Sequence, residues 1–262
     1  MSATEQATFG RRASWVVSDT MLITWRNLIH YVRVPQLIAF AVVQPIMFTL
    51  LFAFVFGGAI KTPNGNYIDY LIPGLIGLNL LGTGMWGIGF AIANWRQQRL
   101  LRRLIATPMR RSDFLLALLL ARLLWLVLEV GIILAFGALV FGTAVRGSWL
   151  AFVLVTLIGT LTFSAIGLLV AVRARSIEAV SGLMNVVQLP MWLLSGTFFS
   201  SERFPAVIQP LVQALPLTLV NNSLRAIMNE SAGLATVAPA AALLAAWGLV
   251  SFFAALKWFR WD

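Results

Sequence analysis

The segment NWRQQRLLRRLIATPMRRSD, residues 94–113, carries six arginines and separates two long apolar runs. The preceding run covers about residues 70–93, and the following run covers about residues 114–141. Each run is longer than the roughly 20 apolar residues that a helix needs to cross a bilayer. Because lysine and arginine are enriched in short cytoplasmic loops, a basic segment between two spans is expected to face the cytoplasm. This stretch therefore predicts an integral membrane protein and its orientation.

The composition of the whole chain agrees with membrane insertion. Hydrophobic residues make up 60% of the 262 positions and charged residues 11%, whereas a soluble domain carries about 25% charged residues. The surplus apolar surface is expected to face lipid. The net charge of +10 does not indicate a nucleic-acid partner, because most basic residues lie at the ends of apolar runs, where membrane topology explains them.

Residues for common catalytic chemistry are missing from the sequence. There is no cysteine, and His30 is the single histidine, which excludes cysteine-ligated metals and a histidine pair at a metal site. No G-x-x-x-x-G-K-[ST] phosphate loop occurs, so we expect the chain neither to hydrolyse nucleotide by itself nor to bind a cofactor. If the protein performs work, the energy has to come from a partner.

The apolar runs predict an all-α integral membrane protein with six transmembrane helices. The predicted spans cover about residues 37–56, 70–93, 114–141, 149–172, 179–199 and 235–259. An even number of spans places both termini on one side. Of the 19 lysines and arginines, four fall on the other side: Lys61, Arg146, Arg203 and Arg225. The positive-inside rule therefore places both termini in the cytoplasm.

The N-terminal part, residues 1–36, is expected to lie on the membrane rather than in it. Residues 13–33 show the periodicity of an amphipathic helix, with Arg26 and Arg33 on the polar face and Trp25 at the boundary. Such a helix lies in the interface plane. It serves either as a plain surface anchor or as a grip on a cytoplasmic partner. Residues 37–262 form the predicted transmembrane domain.

The stretch of residues 200–234 resembles neither a span nor an ordinary loop. Its apolar pieces are about ten residues long and are separated by Pro205, Pro210 and Pro216. They are too short to cross the bilayer, and their apolar character favours re-entrant or interfacial helices.

Several polar and small residues occur inside the predicted spans. Arg122 and Glu129 lie seven residues apart on one helix face, about 10 Å along the axis, too far for assured direct pairing. We expect Arg122 to reach the cytoplasmic interface. Glu129 either hydrogen-bonds to a polar neighbour such as Asn185 or Gln188, or takes part in cargo or proton handling. In the second span, glycines 74, 77, 82, 84, 87 and 89 favour close helix packing over a substrate groove.

The basic segment itself has two interpretations. Within residues 95–105 one helix face carries Arg96, Arg99 and Arg103, and another carries Leu101, Leu104 and Ile105. This pattern predicts a short amphipathic helix parallel to the membrane. Pro108 would stop this helix, and Ser112 with Asp113 would cap the next one. The segment either fixes topology only, or also transmits a push from a soluble subunit into the second and third spans.

Two stretches of the sequence resemble the ABC-2 type transporter permeases. One is RLIATPMRRSDFLLALLLARL at residues 103–123, and the other is PMWLLSGTFFSSERFPAVIQPLVQALPLTLVNNSLR at residues 190–225. The second contains the elements LSG, FF, LPLT and LR that follow span five in that family. The resemblance covers nearly the whole chain, including the order of the spans.

The resemblance implies roles for three groups of residues. The basic segment would be a coupling helix that docks in a groove of an ATP-binding subunit, and the N-terminal helix with Trp25, Arg26 and Arg33 would brace it. The external helices would close the pathway on the outer side. The residues implied in ATPase coupling are Arg96, Arg99, Leu100, Leu101, Arg103, Leu104, Thr107, Pro108, Arg110 and Arg111. Those implied in the external gate are Ser195, Gly196, Phe198, Phe199, Pro205 and Pro216.

The resemblance also implies partners and a location. A second permease subunit, identical or different, and two copies of an ABC ATP-binding subunit would complete a transporter in the bacterial plasma membrane, with ATP and magnesium bound by the ATPase. The apolar, aromatic-rich spans favour export of an amphipathic drug, antibiotic or lipid, with a polysaccharide or lipid-linked glycan as the alternative cargo. A membrane assembly or sensor subunit that transports nothing is the alternative of a different class.

Overall fold

The regular structure of the described residues is entirely α-helical. The computed structural model describes residue 29 and residues 35–56, 67–98, 111–172, 174, 176–198 and 204–258, and these ranges contain no β-strand. The all-α class predicted from the apolar runs is confirmed for this part of the chain. The helices are α1 (Pro35–Phe56), α2 (Tyr67–Gln97), α3 (Arg111–Phe141), α4 (Trp149–Ala171), α5 (Ile177–Leu194), α6 (Gln209–Ala214), α7 (Pro216–Asn229) and α8 (Leu234–Trp258).

Five helical stretches in the described ranges are long and apolar enough to cross a membrane. They are Tyr67–Gln97, Arg122–Phe141, Trp149–Ala171, Ile177–Leu194 and Leu234–Trp258. Helix α1 has 22 residues and would supply the first of the six predicted spans. The total of six transmembrane helices stays a prediction. Helices α6 and α7, with 6 and 14 residues, are shorter than the roughly 20 residues of a span.

Helix α2 is the centre of the fold. It packs against α1, α3, α4, α5 and α7, and its contact with α4 is the most extensive. The contact between α4 and α8 is the next largest. Side chains of α2 such as Ile76, Leu80 and Met85 are fully buried. A displacement of α2 would therefore be felt by five other helices.

Glycines in α2 let neighbouring groups reach its backbone. A methyl group added at Gly74 would lie 2.7 Å from the carbonyl oxygen of Thr197, and one added at Gly77 would collide with the side-chain oxygen of Asn221. At Gly82 the same methyl group would meet open space. Because helix contacts in lipid depend on close packing, Gly74 and Gly77 have the predicted packing role, and Gly82 does not share it.

Two helices start a few residues before the spans predicted within them. Helix α2 begins at Tyr67 instead of residue 70, and α3 begins at Arg111 instead of residue 114. Ser112 and Asp113 therefore lie in the first turn of α3 and not in the capping position expected for them. The start of α4 is capped by the Ser148 side chain, which accepts a hydrogen bond from the backbone N–H of Ala151 at 3.3 Å.

The segments predicted to face the outside meet at one end of the bundle. The backbone N–H of Gly147, in the turn between α3 and α4, donates to the carbonyl oxygen of Ile227 in α7 at 2.9 Å. The side chain of Asn229 donates to the carbonyl oxygen of Asp69 at the start of α2 at 2.8 Å. Helix α7 thus lies across the ends of α2 and α4, and the backbone groups there are paired within the protein.

Candidate coupling and outer-gate sites

The guanidinium group of Arg96, near the end of α2, binds the C-terminal end of α4. Its Nη1 donates to the carbonyl oxygens of Ala174 at 2.6 Å and Ala171 at 3.4 Å, and its Nη2 donates to that of Val172 at 3.0 Å. The last carbonyls of a helix lack partners within the helix and carry a partial negative charge, so a cation is favourable there. Arg96 therefore fastens α2 to α4 immediately before the basic segment.

Arg96 is the one predicted coupling residue whose side chain the structure describes. Arg111 is the first residue of α3. The other members of the group lie outside the described residues: Arg99, Leu100, Leu101, Arg103, Leu104, Thr107, Pro108 and Arg110. Trp25, Arg26 and Arg33 of the predicted N-terminal helix also lie outside them.

The start of the predicted coupling helix is corrected by the structure. Trp95 and Arg96 do not begin a separate helix along the membrane, because α2 continues through them to Gln97. The backbone N–H of Gln98 still donates to the carbonyl oxygen of Asn94 at 2.9 Å. No glycine or proline interrupts the chain between Ala93 and Gln98, so nothing stops the helix at the point where its residues become polar.

Arg122 and Glu129 form a buried ion pair in the membrane-crossing part of α3. Nη2 of Arg122 lies 2.8 Å from Oε2 of Glu129, and the two side chains are 5% and 1% exposed. The expectation that Arg122 extends to the interface is therefore wrong. The direct pairing of the two side chains, which the helical rise left open, is present. The separation of about 10 Å along the axis applies to the Cα atoms, and the side chains extend well beyond them. The long arginine covers much of this separation, and helical side chains such as that of Glu129 tilt toward the N-terminus.

Asn185 and Gln188 of α5 have partners other than Glu129. Gln188 is buried, and its Oε1 accepts a hydrogen bond from the indole N–H of Trp86 in α2. Asn185 is exposed and donates to the carbonyl oxygen of Ser181 one turn earlier at 3.0 Å. The predicted hydrogen bond from Glu129 to one of these residues is wrong, because Glu129 finds its partner on its own helix.

A turn at residues 195–198 follows α5, which ends at Leu194 and not at residue 199 as predicted. Gly196 has a φ of +70°, a conformation that glycine adopts without the steric cost paid by other residues. The hydroxyl groups of Ser195 and Thr197 lie 3.0 Å apart in a hydrogen bond. The helix therefore stops at the LSG element, and the turn presents its carbonyl oxygens to α7.

Arg225 of α7 binds this turn through main-chain oxygens. Its Nη2 donates to the carbonyl oxygen of Gly196 at 2.6 Å and to that of Thr197 at 3.3 Å. Its Nε donates to the carbonyl oxygen of Tyr70 at 3.2 Å, and its guanidinium carbon lies 3.6 Å from the centre of the Tyr70 ring. Burial lowers the pKa of Arg225 to about 10, which leaves it charged at neutral pH. One cation thus joins α2, α5 and α7.

Further hydrogen bonds surround Arg225. The amide of Asn221 donates to the hydroxyl of Thr197 at 3.0 Å and to the carbonyl oxygen of Ser195 at 3.3 Å. The hydroxyl of Tyr70 donates to the carbonyl oxygen of Gly196 at 2.6 Å. We call the five residues Tyr70, Gly196, Thr197, Asn221 and Arg225 the outer latch.

The remaining predicted gate residues lie around the outer latch. The ring of Phe198 stacks on Phe52 of α1, with centroids 4.3 Å apart. Pro216 is the first residue of α7 and is buried. The carbonyl oxygen of Pro205 accepts the backbone N–H of Ile208 at 3.0 Å, just before α6. Phe199 lies outside the described residues.

Four members of the outer latch were not among the predicted gate residues: Tyr70, Thr197, Asn221 and Arg225. Arg225 carried a usable signal, since it is a charged residue inside an apolar piece and belongs to the LR element of the resemblance. Asn221 carried a weaker one, as an amide inside the same apolar piece. For Tyr70 no signal existed, because a tyrosine at the start of a span is ordinary at a membrane interface.

Comparison with known proteins agrees with this architecture. Residues 18–229 match the family described as ABC-2 type transporter. The daunorubicin resistance ABC transporter permease protein DrrB1 of Streptomyces coeruleorubidus is 26% identical over 243 residues, which cover 92% of this chain and 84% of the relative. The inner membrane transport permease YadH of Escherichia coli K12 is 24% identical over 219 residues, which cover 80% of this chain and 82% of the relative.

A eukaryotic relative extends the comparison. ABC transporter G family member 20 of Dictyostelium discoideum is 24% identical over 172 residues, which cover 66% of this chain and 24% of the relative. The match to the family covers far more than half of the chain, and the apolar helices are those of a multi-pass membrane protein. The chain therefore belongs to the ABC-2 type transporter family, as a transmembrane permease subunit of an ABC transporter.

Proposed function

We propose that this chain forms half of the translocation path of an ATP-driven exporter. Two permease subunits, identical or different, would pair with two ABC ATP-binding subunits that bind ATP and magnesium. The transporter would lie in a bacterial inner membrane with both termini of this chain in the cytoplasm, as the distribution of lysine and arginine predicts. ATP-driven closure of the ATPase would move the basic segment and open a path between the permeases.

The observation that carries this proposal is the attachment of Arg96 to the end of α4. The basic segment connects the end of α2 to the start of α3, so a force on it acts on both helices. Because Arg96 also binds three carbonyl groups at the end of α4, the same force acts on a third span. A loop that served only to fix topology would need no such attachment. The arrangement favours a segment that transmits motion into the bundle.

The outer latch supports a role for α7 in closing the outer side. Helix α7 packs against α2, α4, α5 and α8, and Arg225 holds it to the turn after α5 and to the start of α2. When α2 and α4 move together at the inner end, the start of α2 and the end of α5 either stay joined at the outer latch or separate there. We infer that its separation accompanies opening of the path.

The cargo proposed here is a small amphipathic drug, antibiotic or lipid. The relative from Streptomyces coeruleorubidus is named for daunorubicin resistance, which favours an amphipathic drug and the outward direction. The apolar composition of the spans fits such a cargo better than a hydrated glycan.

The test is reconstitution of the permease with its ATP-binding subunit in liposomes, with ATP hydrolysis and cargo transport measured together. Arg96→Met removes the hydrogen bonds to α4 and keeps an apolar chain of similar length. We expect it to retain binding of the ATPase and ATP hydrolysis while transport per ATP falls several-fold. Gln98→Met, an exposed change two residues away, is the matched control and should transport normally.

Two results would contradict the proposal in different ways. Normal transport per ATP in Arg96→Met, in a complex of normal composition, would remove the coupling role of the attachment to α4. A wild-type complex that binds the ATPase but shows neither transport nor stimulated hydrolysis with any amphipathic compound would favour the assembly or sensor subunit.

A further inference from the structure

A pocket of about 310 Å³ lies between α4 and α8, with α2 behind it. It is separate from the outer latch and from the attachment of Arg96. Residues of the wall include Ile88, Leu161, Ala165, Ala245, Leu249 and Phe252. Protein interiors leave few voids larger than one water molecule, and ligand pockets have volumes of about 300–1,000 Å³. A space of this size in a well-packed pair of helices is expected to have an occupant.

The pocket is held open by a fixed contact between the two helices. The hydroxyl of Thr162 in α4 donates to the carbonyl oxygen of Leu244 in α8 at 2.9 Å. A methyl group added at Gly248 would lie 2.8 Å from the same hydroxyl oxygen, so α4 and α8 already touch there. Because this contact sets the distance between the helices, they cannot move closer to fill the space beside the small residues Ala165 and Ala245.

The wall of the pocket is almost wholly carbon. The hydroxyl of Thr162 is engaged with α8. Ser164 also contributes to the wall; its hydroxyl oxygen is buried and has no hydrogen-bond partner among the described residues, so it adds almost no polar surface to the pocket. Burying a polar group without a hydrogen-bond partner is costly. An occupant with hydroxyl, amino or phosphate groups inside the pocket would therefore bind poorly, and a hydrocarbon chain would bind well.

The pocket is partly open, and the residues beside it are apolar and exposed. Leu249 is 58% exposed and its neighbour Val250 is 67% exposed in the described structure. In a span these side chains meet acyl chains, which are the most abundant hydrocarbon around the protein. We propose that the pocket binds one acyl chain of a membrane phospholipid, which completes the packing between α4 and α8. This inference depends on membrane insertion and is independent of any transport activity.

The test uses the full-length chain in nanodiscs of phosphatidylethanolamine and phosphatidylglycerol that contain a phospholipid with a diazirine on one acyl chain. After illumination, labelled peptides are identified by mass spectrometry. We expect labelling to concentrate at residues 158–168 and 245–252, in several-fold excess over equally exposed positions of α5 such as Val186 and Leu193. Ala165→Phe and Ala245→Leu fill the pocket from opposite helices, and each should abolish the excess.

Two further variants separate the proposal from its rivals. Val250→Phe adds the same ring on the exposed surface beside the pocket and should leave the excess unchanged. Ser164→Ala should also leave it unchanged, because a hydrocarbon chain needs no hydrogen bond. Even labelling over all exposed helices, or an excess that survives both filling variants, would overturn the proposal. Loss of the excess in Ser164→Ala, or its displacement by a small apolar drug at low concentration, would show that a different ligand is the native occupant.

Discussion

Nη2 of Arg225 donates to the carbonyl oxygen of Gly196 at 2.6 Å, across 29 residues of sequence. This bond joins the LSG element after α5 to the LR element of α7, two pieces of the family resemblance that have no visible relation in the sequence. The positive φ of Gly196 turns the chain so that its carbonyl oxygen is presented to α7. The two elements are therefore parts of one structural unit.

Removal of the cation from the outer latch is expected to destabilise the protein. Arg225→Met removes three hydrogen bonds, to the carbonyl oxygens of Gly196, Thr197 and Tyr70, although that of Gly196 keeps the hydroxyl of Tyr70 as a donor. Hydrogen bonds of a charged group contribute about 1.5–3 kcal/mol. The free energy of unfolding should fall by roughly that amount, measured as a lower Tm in detergent. Arg146→Met, which replaces an exposed arginine at the same end, should leave the Tm unchanged, and equal Tm values for the two variants would contradict the role of Arg225.

The buried pair in α3 should respond very differently to single and double substitution. Glu129→Leu alone leaves the charge of Arg122 buried without its partner, which costs about 3–5 kcal/mol. The double variant Arg122→Met with Glu129→Leu replaces both charges by apolar groups and is expected to be about as stable as the wild type. The Tm values of the wild type, of Glu129→Leu, of Arg122→Met and of the double variant decide the matter: additive effects of the two substitutions would mean that the two charges do not interact.

Transport by that double variant tests the second interpretation of Glu129. If the carboxylate handles protons or cargo, the double variant should fold normally and fail to transport. If the pair is only a satisfied buried charge, transport should be retained. The geometry favours retained transport, because Oε2 of Glu129 is already bound by Arg122.

Two glycines on α2 offer a matched test of helix packing. Gly77→Ala places a methyl group against the side-chain oxygen of Asn221, and overpacking of this kind costs about 1–3 kcal/mol. Gly82→Ala adds the same methyl group in open space and should be neutral or slightly stabilising, since alanine favours the helix. Because Asn221→Ala removes the clash together with the hydrogen bonds of Asn221, the loss caused by Gly77→Ala should be smaller in an Asn221→Ala background than in the wild type. An equal loss in the two backgrounds would locate the clash elsewhere.

A third comparison uses two amides on α5. Gln188→Leu removes the acceptor of the Trp86 indole N–H and leaves a half-buried donor unpaired, at a cost of about 1 kcal/mol. Asn185→Leu changes an exposed amide that bonds only within its own helix among the described residues, and its effect on the Tm should be small. Equal loss of stability in the two variants would contradict the assigned contacts.

The sequence was a good guide to the helices and a poor guide to the bonds between them. Long apolar runs predict helices in lipid almost without ambiguity, because the backbone has no other way to pair its polar groups there. The end of α2 was misplaced because polarity changes at Asn94 while the helix continues to Gln97. Hydropathy records the membrane boundary, and the end of a helix depends on backbone interruption, so the two need not coincide.

The contacts of the charged residues could not be predicted for a different reason. Arg96 binds carbonyl oxygens that lie 75 to 78 positions away in the sequence. Arg225 binds two that lie 28 and 29 positions away. Every residue type supplies such an oxygen. A carboxylate partner is recognisable in the sequence as an aspartate or a glutamate, whereas no residue type identifies a main-chain carbonyl oxygen as a partner. The positive-inside rule accounts for Arg96 as a topological charge, although its side chain is committed to a specific bond.

Helices α4 and α5 thus each end on an arginine from another helix, α4 on Arg96 at one end of the bundle and α5 on Arg225 at the other. The acceptors are main-chain atoms, so substitutions at Ala171, Val172 or Ala174 leave them in place. A substitution can abolish these hydrogen bonds only if it replaces the arginine or changes the backbone conformation that orients the carbonyl groups. The side chains at the ends of α4 and α5 can therefore change in evolution while the hydrogen bonds of Arg96 and Arg225 to the main chain are kept.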